Sequence, residues 1–110
     1  MGERPLYLIE PASGKIATFD VTLADGLYRG TVSLEHTPPA IRRLFEQFEE
    51  AVNDQVFPVA DEVEGRIEAL GLRIGFGDGS ESAAEDLQVY PGTRRVSFRA
   101  RRHVLNGAAS

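Results

Sequence analysis

The stretch IATFDVTLADGLYRGTVSL, residues 16–34, is the part of the sequence that decides the fold. Between residues 16 and 23 apolar and polar side chains alternate, which is the two-residue period of a half-buried β-strand. Asp25-Gly26 is a dipeptide typical of two-residue hairpin turns, and the alternation resumes from Tyr28 to Leu34. The stretch therefore predicts a β-hairpin with one apolar and one polar face.

Shorter patterns on both sides predict more strands. Leu6–Ile9 is an apolar run that predicts a short edge strand before the hairpin. After residue 71, Leu72–Phe76 alternates in the manner of a strand, and the segments 87–90 and 96–100 do the same around the turn at Pro91-Gly92. The polar stretch Glu81–Asp86 is predicted to be a loop.

The middle of the chain has a helical pattern. Apolar side chains recur at positions 41, 44, 45, 48, 52 and 56, the spacing of one buried helical stripe. Thr37 is the predicted N-cap, with Pro38 and Pro39 in the first turn. Pro58 cannot continue a straight helix, so either a kink or a break into two helices is expected near Gln55–Pro58.

Together these elements predict an α+β fold. We expect a two-layer sandwich in which an antiparallel sheet of about five to six strands carries the helices on one face. The predicted order is β-hairpin, long kinked helix and β-meander. Residues 1–105 are predicted to form a single domain, and residues 106–110 a frayed C-terminal tail.

Composition narrows the classes of function. The 110 residues include 42% hydrophobic and 26% charged side chains, as in an ordinary globular domain. The absence of cysteine excludes disulfides, thiolate zinc sites and cysteine nucleophiles, and His36 and His103 are far apart in sequence. We therefore predict no metal and no cofactor. Leu6–Ile9 is too short for a signal peptide or a membrane span, which favours a cytoplasmic protein.

Charge is unevenly distributed along the chain. The formal net charge of −5 argues against binding to nucleic acid or to an anionic membrane. Residues 46–68 contain eight carboxylates and only one basic residue, Arg66, whereas residues 94–102 contain five arginines and no acid. Nearly all positive charge is guanidinium, because Lys15 is the only lysine. Guanidinium groups suit bidentate contacts with carboxylates and phosphates.

The strand pattern places several arginines on the polar face of the predicted sheet. On that face they could bind an acidic protein surface, and the alternative is an ordinary solvated strand face. The leading hypothesis is a non-enzymatic protein-interaction module whose partner is another protein or a second copy, which would make a homodimer. The candidate binding residues are Arg29, Arg73, Tyr90, Arg95, Arg99 and Arg101.

A second hypothesis is a small-ligand-binding protein or an enzyme. Its site would be a cleft between a sheet edge and the kinked helix near His36, with no catalytic residue assigned. The glycine-rich stretch Gly75–Ser80 lacks the third glycine of a dinucleotide-binding loop and is better explained as a turn. Glu64 and Glu68 are interpreted as surface charge without a raised pKa.

Overall fold

The computed structural model describes residues 6–100, which form a six-stranded antiparallel β-barrel and two helices. Arg101, His103 and the predicted tail 106–110 lie outside the described residues. The helices α1, Pro39–Asn53, and α2, Phe57–Glu68, separate the third strand from the fourth. The strands are β1 Leu6–Glu10, β2 Gly14–Ala24, β3 Leu27–Ser33, β4 Arg73–Gly75, β5 Glu81–Tyr90 and β6 Arg95–Ala100.

The sheet closes on itself, so the predicted open two-layer sandwich is wrong. The order around the barrel is β1-β2-β3-β6-β5-β4, and β1 pairs with both β2 and β4. Leu6–Glu10 is thus a closing strand and not the predicted edge strand. The physical reason for the error is that side chains alternate between two faces in open and closed sheets alike. Closure is decided by the pairing of Leu8 with Ile74, which strand periodicity does not report.

The segment predicted to be a loop, Glu81–Asp86, is instead the first half of β5. Ser82 and Leu87 are both buried although they are five positions apart, so the alternation changes parity between them. The change occurs at a bulge, where the register with β6 shifts between Glu85 and Gln88 and Asp86 has φ of 52°. The bulge hides the strand pattern in the sequence.

Pro58 lies in the first turn of the second helix and separates two helices, which settles the choice between a kink and a break. The turn between them places Gln55 at φ of 60°. Thr37 is not an N-cap, because its Oγ1 donates a 2.6 Å hydrogen bond to the carbonyl oxygen of Ile16 in β2. At the other end of α1, Glu49 accepts a 2.9 Å bond from the N–H of Gly92. The helix is therefore tied to the barrel at both ends.

The core runs from the barrel interior to the inner sides of the helices. Phe98 is fully buried and packs between Phe19 and Tyr28, with ring centroids 4.9 and 5.0 Å away. Phe45 of α1 is also buried in the same cluster. A barrel of this size is filled by its own side chains. Surfaces for binding must therefore be sought outside the barrel. Within residues 6–100 neither helix is long and apolar enough to span a bilayer.

Candidate functional site

Three of the predicted binding residues lie together on the outside of the barrel. Arg29 of β3 and Arg95 and Arg99 of β6 are all exposed. We call this surface the arginine face and define it by Arg29, Thr31, Arg95, Ser97 and Arg99. The register between β3 and β6 fixes it, because Arg29 is opposite Ser97 and Thr31 is opposite Arg95.

The register also sets the spacing of the guanidiniums. Arg29 is the diagonal neighbour of both Arg95 and Arg99, since its direct partner Ser97 lies two positions from each. Diagonal neighbours on one sheet face have Cα atoms about 7–8 Å apart, within reach of long side chains. The three positive charges therefore form one cluster with two hydroxyl residues between them.

Only one guanidinium of the arginine face is held by an ion pair within the described chain. Nε of Arg99 lies 3.4 Å from a carboxylate oxygen of Asp86, at the β5 bulge. Its Nη1 is also 3.5 Å from the carbonyl oxygen of Gly26 in the β2–β3 turn. Arg29 and Arg95 form no ion pair with any residue between 6 and 100. Their charge is available to a partner.

The remaining predicted residues do not join this cluster. Arg73 lies on β4, which is separated from β6 by β5, and its Nε is 3.1 Å from Glu81. Arg101 is outside the described residues. His36 is strongly exposed, with Glu35 at 3.9 Å, and lines none of the clefts described below. The binding roles of these residues stay predictions.

Tyr90 lies at the border between the arginine face and α1. It is opposite Arg95, but its half-buried ring packs against Phe48, with centroids 6.0 Å apart. Its hydroxyl donates a 2.7 Å hydrogen bond to Oε1 of Gln88. Burial, together with the carboxylates of Glu49 and Glu64, raises the pKa of the Tyr90 phenol above its ordinary value. Tyr90 therefore supports the helix contact and is not a free stacking platform.

Gly75 ends β4, and the rest of the stretch up to Ser80 is a turn, as the sequence predicts, and not an anion cradle. Asp78 Oδ1 accepts bonds from the backbone N–H of Ser80, at 3.0 Å, and from its hydroxyl, at 2.6 Å. A carboxylate already occupies the donors that an anion would need. Within residues 6–100 no group of three His, Cys, Asp or Glu side chains is arranged to hold a metal ion.

A cleft that the sequence did not reveal lies between α2, the Gly71-Leu72 connection that follows it, and β5. It has a volume of about 460 Å³ and a floor that includes the buried residues Ile67, Leu72 and Leu87. We call it the acidic cleft because, in the part of the chain from 6 to 100, every charged residue that lines it is a carboxylate. These residues are Glu64, Glu68, Glu85 and Asp86.

The acidic cleft corrects the interpretation of Glu64 as simple surface charge. Partial burial raises the pKa of the Glu64 carboxyl above its ordinary value of 4.5, and the carboxylates of Glu68, Asp61 and Asp86 raise it further. Only Asp86 of β5 comes from outside the helix. The signal in the sequence was weak, because the positions of Asp86 and Glu85 depend on a bulge.

A second concave surface, the hairpin groove, runs between the outer sides of α1 and α2. It has a volume of about 400 Å³ and combines apolar residues with the carboxylates of Glu50, Asp54 and Glu62 and with Arg66, whose Nη2 lies 3.3 Å from Glu62. Val56 and Val59 line it and are 43% and 44% exposed, and the neighbouring Phe57 is 56% exposed. Such exposure of large apolar side chains in one place is typical of contact surfaces.

No protein-family model, no curated protein and no solved structure matches this chain. Function is therefore inferred from the chemistry of the arginine face and of the two concave surfaces.

Proposed function

We propose that this chain is a non-enzymatic protein-interaction module that binds an acidic protein surface through the arginine face. The observation that carries the proposal is the pair Arg29 and Arg95, which are exposed on neighbouring strands and form no ion pair within residues 6–100. Carboxylates of a partner would give them charge-assisted, bidentate hydrogen bonds. In this proposal the module works in the cytoplasm, where a chain without cysteine needs no oxidising environment.

The shape of the surface favours a protein over a small anion. Arg29, Arg95 and Arg99 line neither the acidic cleft nor the hairpin groove, and they stand on the outside of a barrel. Small ligands are held in concave sites where several polar groups converge. Protein interfaces are broad and enriched in arginine, which matches an exposed strand surface better.

The same surface is poorly suited to nucleic acid. Single-stranded nucleic acid is bound by basic grooves with exposed aromatic rings on which bases stack. The ring beside this face, Tyr90, is packed against Phe48. The net charge of −5 would also repel a polyanion at long range.

Self-association is the version of this function for which the chain itself offers a partner surface. The hairpin groove presents exposed Val56 and Val59 beside the carboxylates of Glu50 and Asp54, and the exposed Phe57 is next to it in sequence. In a two-fold dimer the arginine face of each copy would contact the hairpin groove of the other, so the contact would occur twice. Charge complementarity supports this arrangement.

The first test is sedimentation velocity of the purified chain in low and high salt. At about 0.01 M salt the Debye length is about 30 Å, and at about 1 M it is about 3 Å. A homodimer held by the arginine face should form in low salt and dissociate in high salt. A chain that is monomeric in both should instead bind a labelled Asp- and Glu-rich peptide in low salt only. Failure to bind either one would refute the proposal.

Charge reversal on two strands provides the matched comparison. Arg95→Glu and Arg73→Glu change the net charge by the same amount on exposed strand residues, but only Arg95 belongs to the arginine face. Arg95→Glu should weaken the association at least about tenfold, which is about 1.4 kcal/mol. Arg73→Glu should change it far less. Equal weakening by both would mean that net charge, and not this face, drives the contact.

A further inference from the structure

The acidic cleft has more negative charge than the described chain neutralises. Asp86 forms an ion pair with Arg99 at 3.4 Å, but Glu64, Glu68 and Glu85 form none with residues 6–100. Among residues 6–100 no basic side chain lines the cleft. The carboxylates surround an apolar floor, so the cleft suits a segment that carries both cationic and aliphatic groups.

The strand register places the end of β6 at the wall of this cleft. Ala100, the last residue of β6, is opposite Ala84, and Arg99 is opposite Glu85. Both Ala84 and Glu85 line the cleft. Ala100, where the described part of the chain ends, therefore lies within one strand spacing, about 5 Å, of the cleft wall.

The sequence directly after Ala100 has the complementary chemistry. It reads Arg101-Arg102-His103-Val104-Leu105, two guanidiniums followed within three positions by two aliphatic side chains. Five extended residues reach about 16 Å, enough to cross a cleft of this size. Because the segment is joined to the cleft wall, its effective concentration there is in the millimolar range, well above that of most free ligands.

We propose that the segment 101–105 of the same chain binds in the acidic cleft. Arg101 and Arg102 contact the carboxylates of α2 and β5, and Val104 and Leu105 cover the apolar floor. This contact is separate from the proposed function, since none of the residues of the acidic cleft belongs to the arginine face. It assigns Arg101 to the acidic cleft and removes it from the set that would bind an external partner.

Disulfide trapping tests the contact cleanly because the chain has no cysteine of its own. The test variant is Glu68→Cys with His103→Cys, which joins the cleft to the segment. The control is Glu62→Cys with His103→Cys, on the same helix but in the hairpin groove. A disulfide needs Cα atoms about 4.4–6.8 Å apart, so it reports proximity. We expect the intramolecular disulfide to form at least about tenfold faster in the test variant than in the control.

Two results would overturn the proposal. Equal trapping at positions 62 and 68 would mean that the segment does not prefer the cleft. Trapping that yields only disulfide-linked dimers would place the segment in the cleft of a second copy. Reversal of both charges, Arg101→Glu with Arg102→Glu, should abolish the preference for position 68. Thermal melts of each variant confirm that the barrel is folded.

A measurement without cysteines gives an independent result. The pKa of the Glu64 carboxyl can be followed by NMR in the native chain and in Arg101→Gln with Arg102→Gln. Bound guanidiniums favour the ionised carboxylate, so the pKa of Glu64 should be lower in the native chain than in the variant. An identical pKa in the two proteins would show that no guanidinium approaches Glu64.

Discussion

The arginine face and the acidic cleft are two charged surfaces of one small barrel, but they are built in different ways. The arginine face comes from two neighbouring strands with a regular register, and in β6 Arg95 and Arg99 alternate with the buried Val96 and Phe98. The acidic cleft joins the helix α2 to the strand β5 and depends on the bulge near Asp86. The difference teaches that strand periodicity predicts a surface within one sheet, whereas a cleft between elements needs the tertiary structure.

The largest effect is expected from a substitution that tests how rigidly β2 and β3 hold the register of the arginine face. A Cβ at Gly30 would overlap the carbonyl oxygen of Asp20 and lie 2.7 Å from the Cα of Val21. Backbone atoms cannot move aside as a flexible side chain can, so Gly30→Ala should destabilise the barrel by about 1–3 kcal/mol. Urea denaturation measures this change. A neutral result would mean that β2 and β3 can separate freely, and the spacing of Arg29 and Arg95 would then not be fixed.

The arginine face was largely predictable from the sequence because its residues lie within regularly alternating strands. Alternation alone indicated that Arg29, Arg95 and Arg99 share a surface, and the structure places all three there. Alternation gave no information on which strands are neighbours around the barrel. Arg73 was therefore assigned to the same set, although β4 lies beyond β5.

The acidic cleft was not predictable by the same reasoning. Its carboxylates Glu64 and Glu85 are 21 positions apart in sequence, and only the tertiary structure brings them to the lining of one cleft, Glu64 from α2 and Glu85 from β5. The bulge at Asp86 also breaks the alternation that would have predicted β5. Barrel closure was missed for a similar reason, since it rests on the pairing of two short strands, β1 and β4.

A smaller change of opposite sign, a gain in stability, is expected from a substitution in α2 beside the acidic cleft. Gly65 lies in α2, and a Cβ there would have no atom within 4 Å. Alanine loses less backbone entropy than glycine on forming a helix, so Gly65→Ala should stabilise the protein by about 0.5–1 kcal/mol. Urea denaturation beside Gly30→Ala checks it. Destabilisation by Gly65→Ala would mean that α2 packs more closely at this point than the structure places it.

The smallest effect concerns the charge of Glu64 and is best measured in a protein whose segment 101–105 carries no arginine. With Arg101→Gln and Arg102→Gln in place, Glu64 faces Glu68, Asp61 and Asp86 without those cations. Like charges at i, i+4 on a helix destabilise by about 0.2–0.5 kcal/mol. Glu64→Gln should therefore stabilise this background by about that amount at pH 7. Urea denaturation of the two proteins measures the difference.

The pH dependence of the free energy of unfolding separately checks the sign of the effect of Glu64→Gln. Because the pKa of Glu64 is raised in the folded state, the folded protein binds this proton more tightly than the unfolded chain does. The free energy of unfolding then falls as the pH rises from about 4.5 through the raised pKa, and Glu64→Gln removes that loss. The two proteins should be equally stable well below pH 4.5.

In the native chain, guanidiniums bound in the cleft would offset the repulsion, and the gain in stability from Glu64→Gln should shrink or reverse. An equal gain in both backgrounds would place the arginines of the segment away from Glu64.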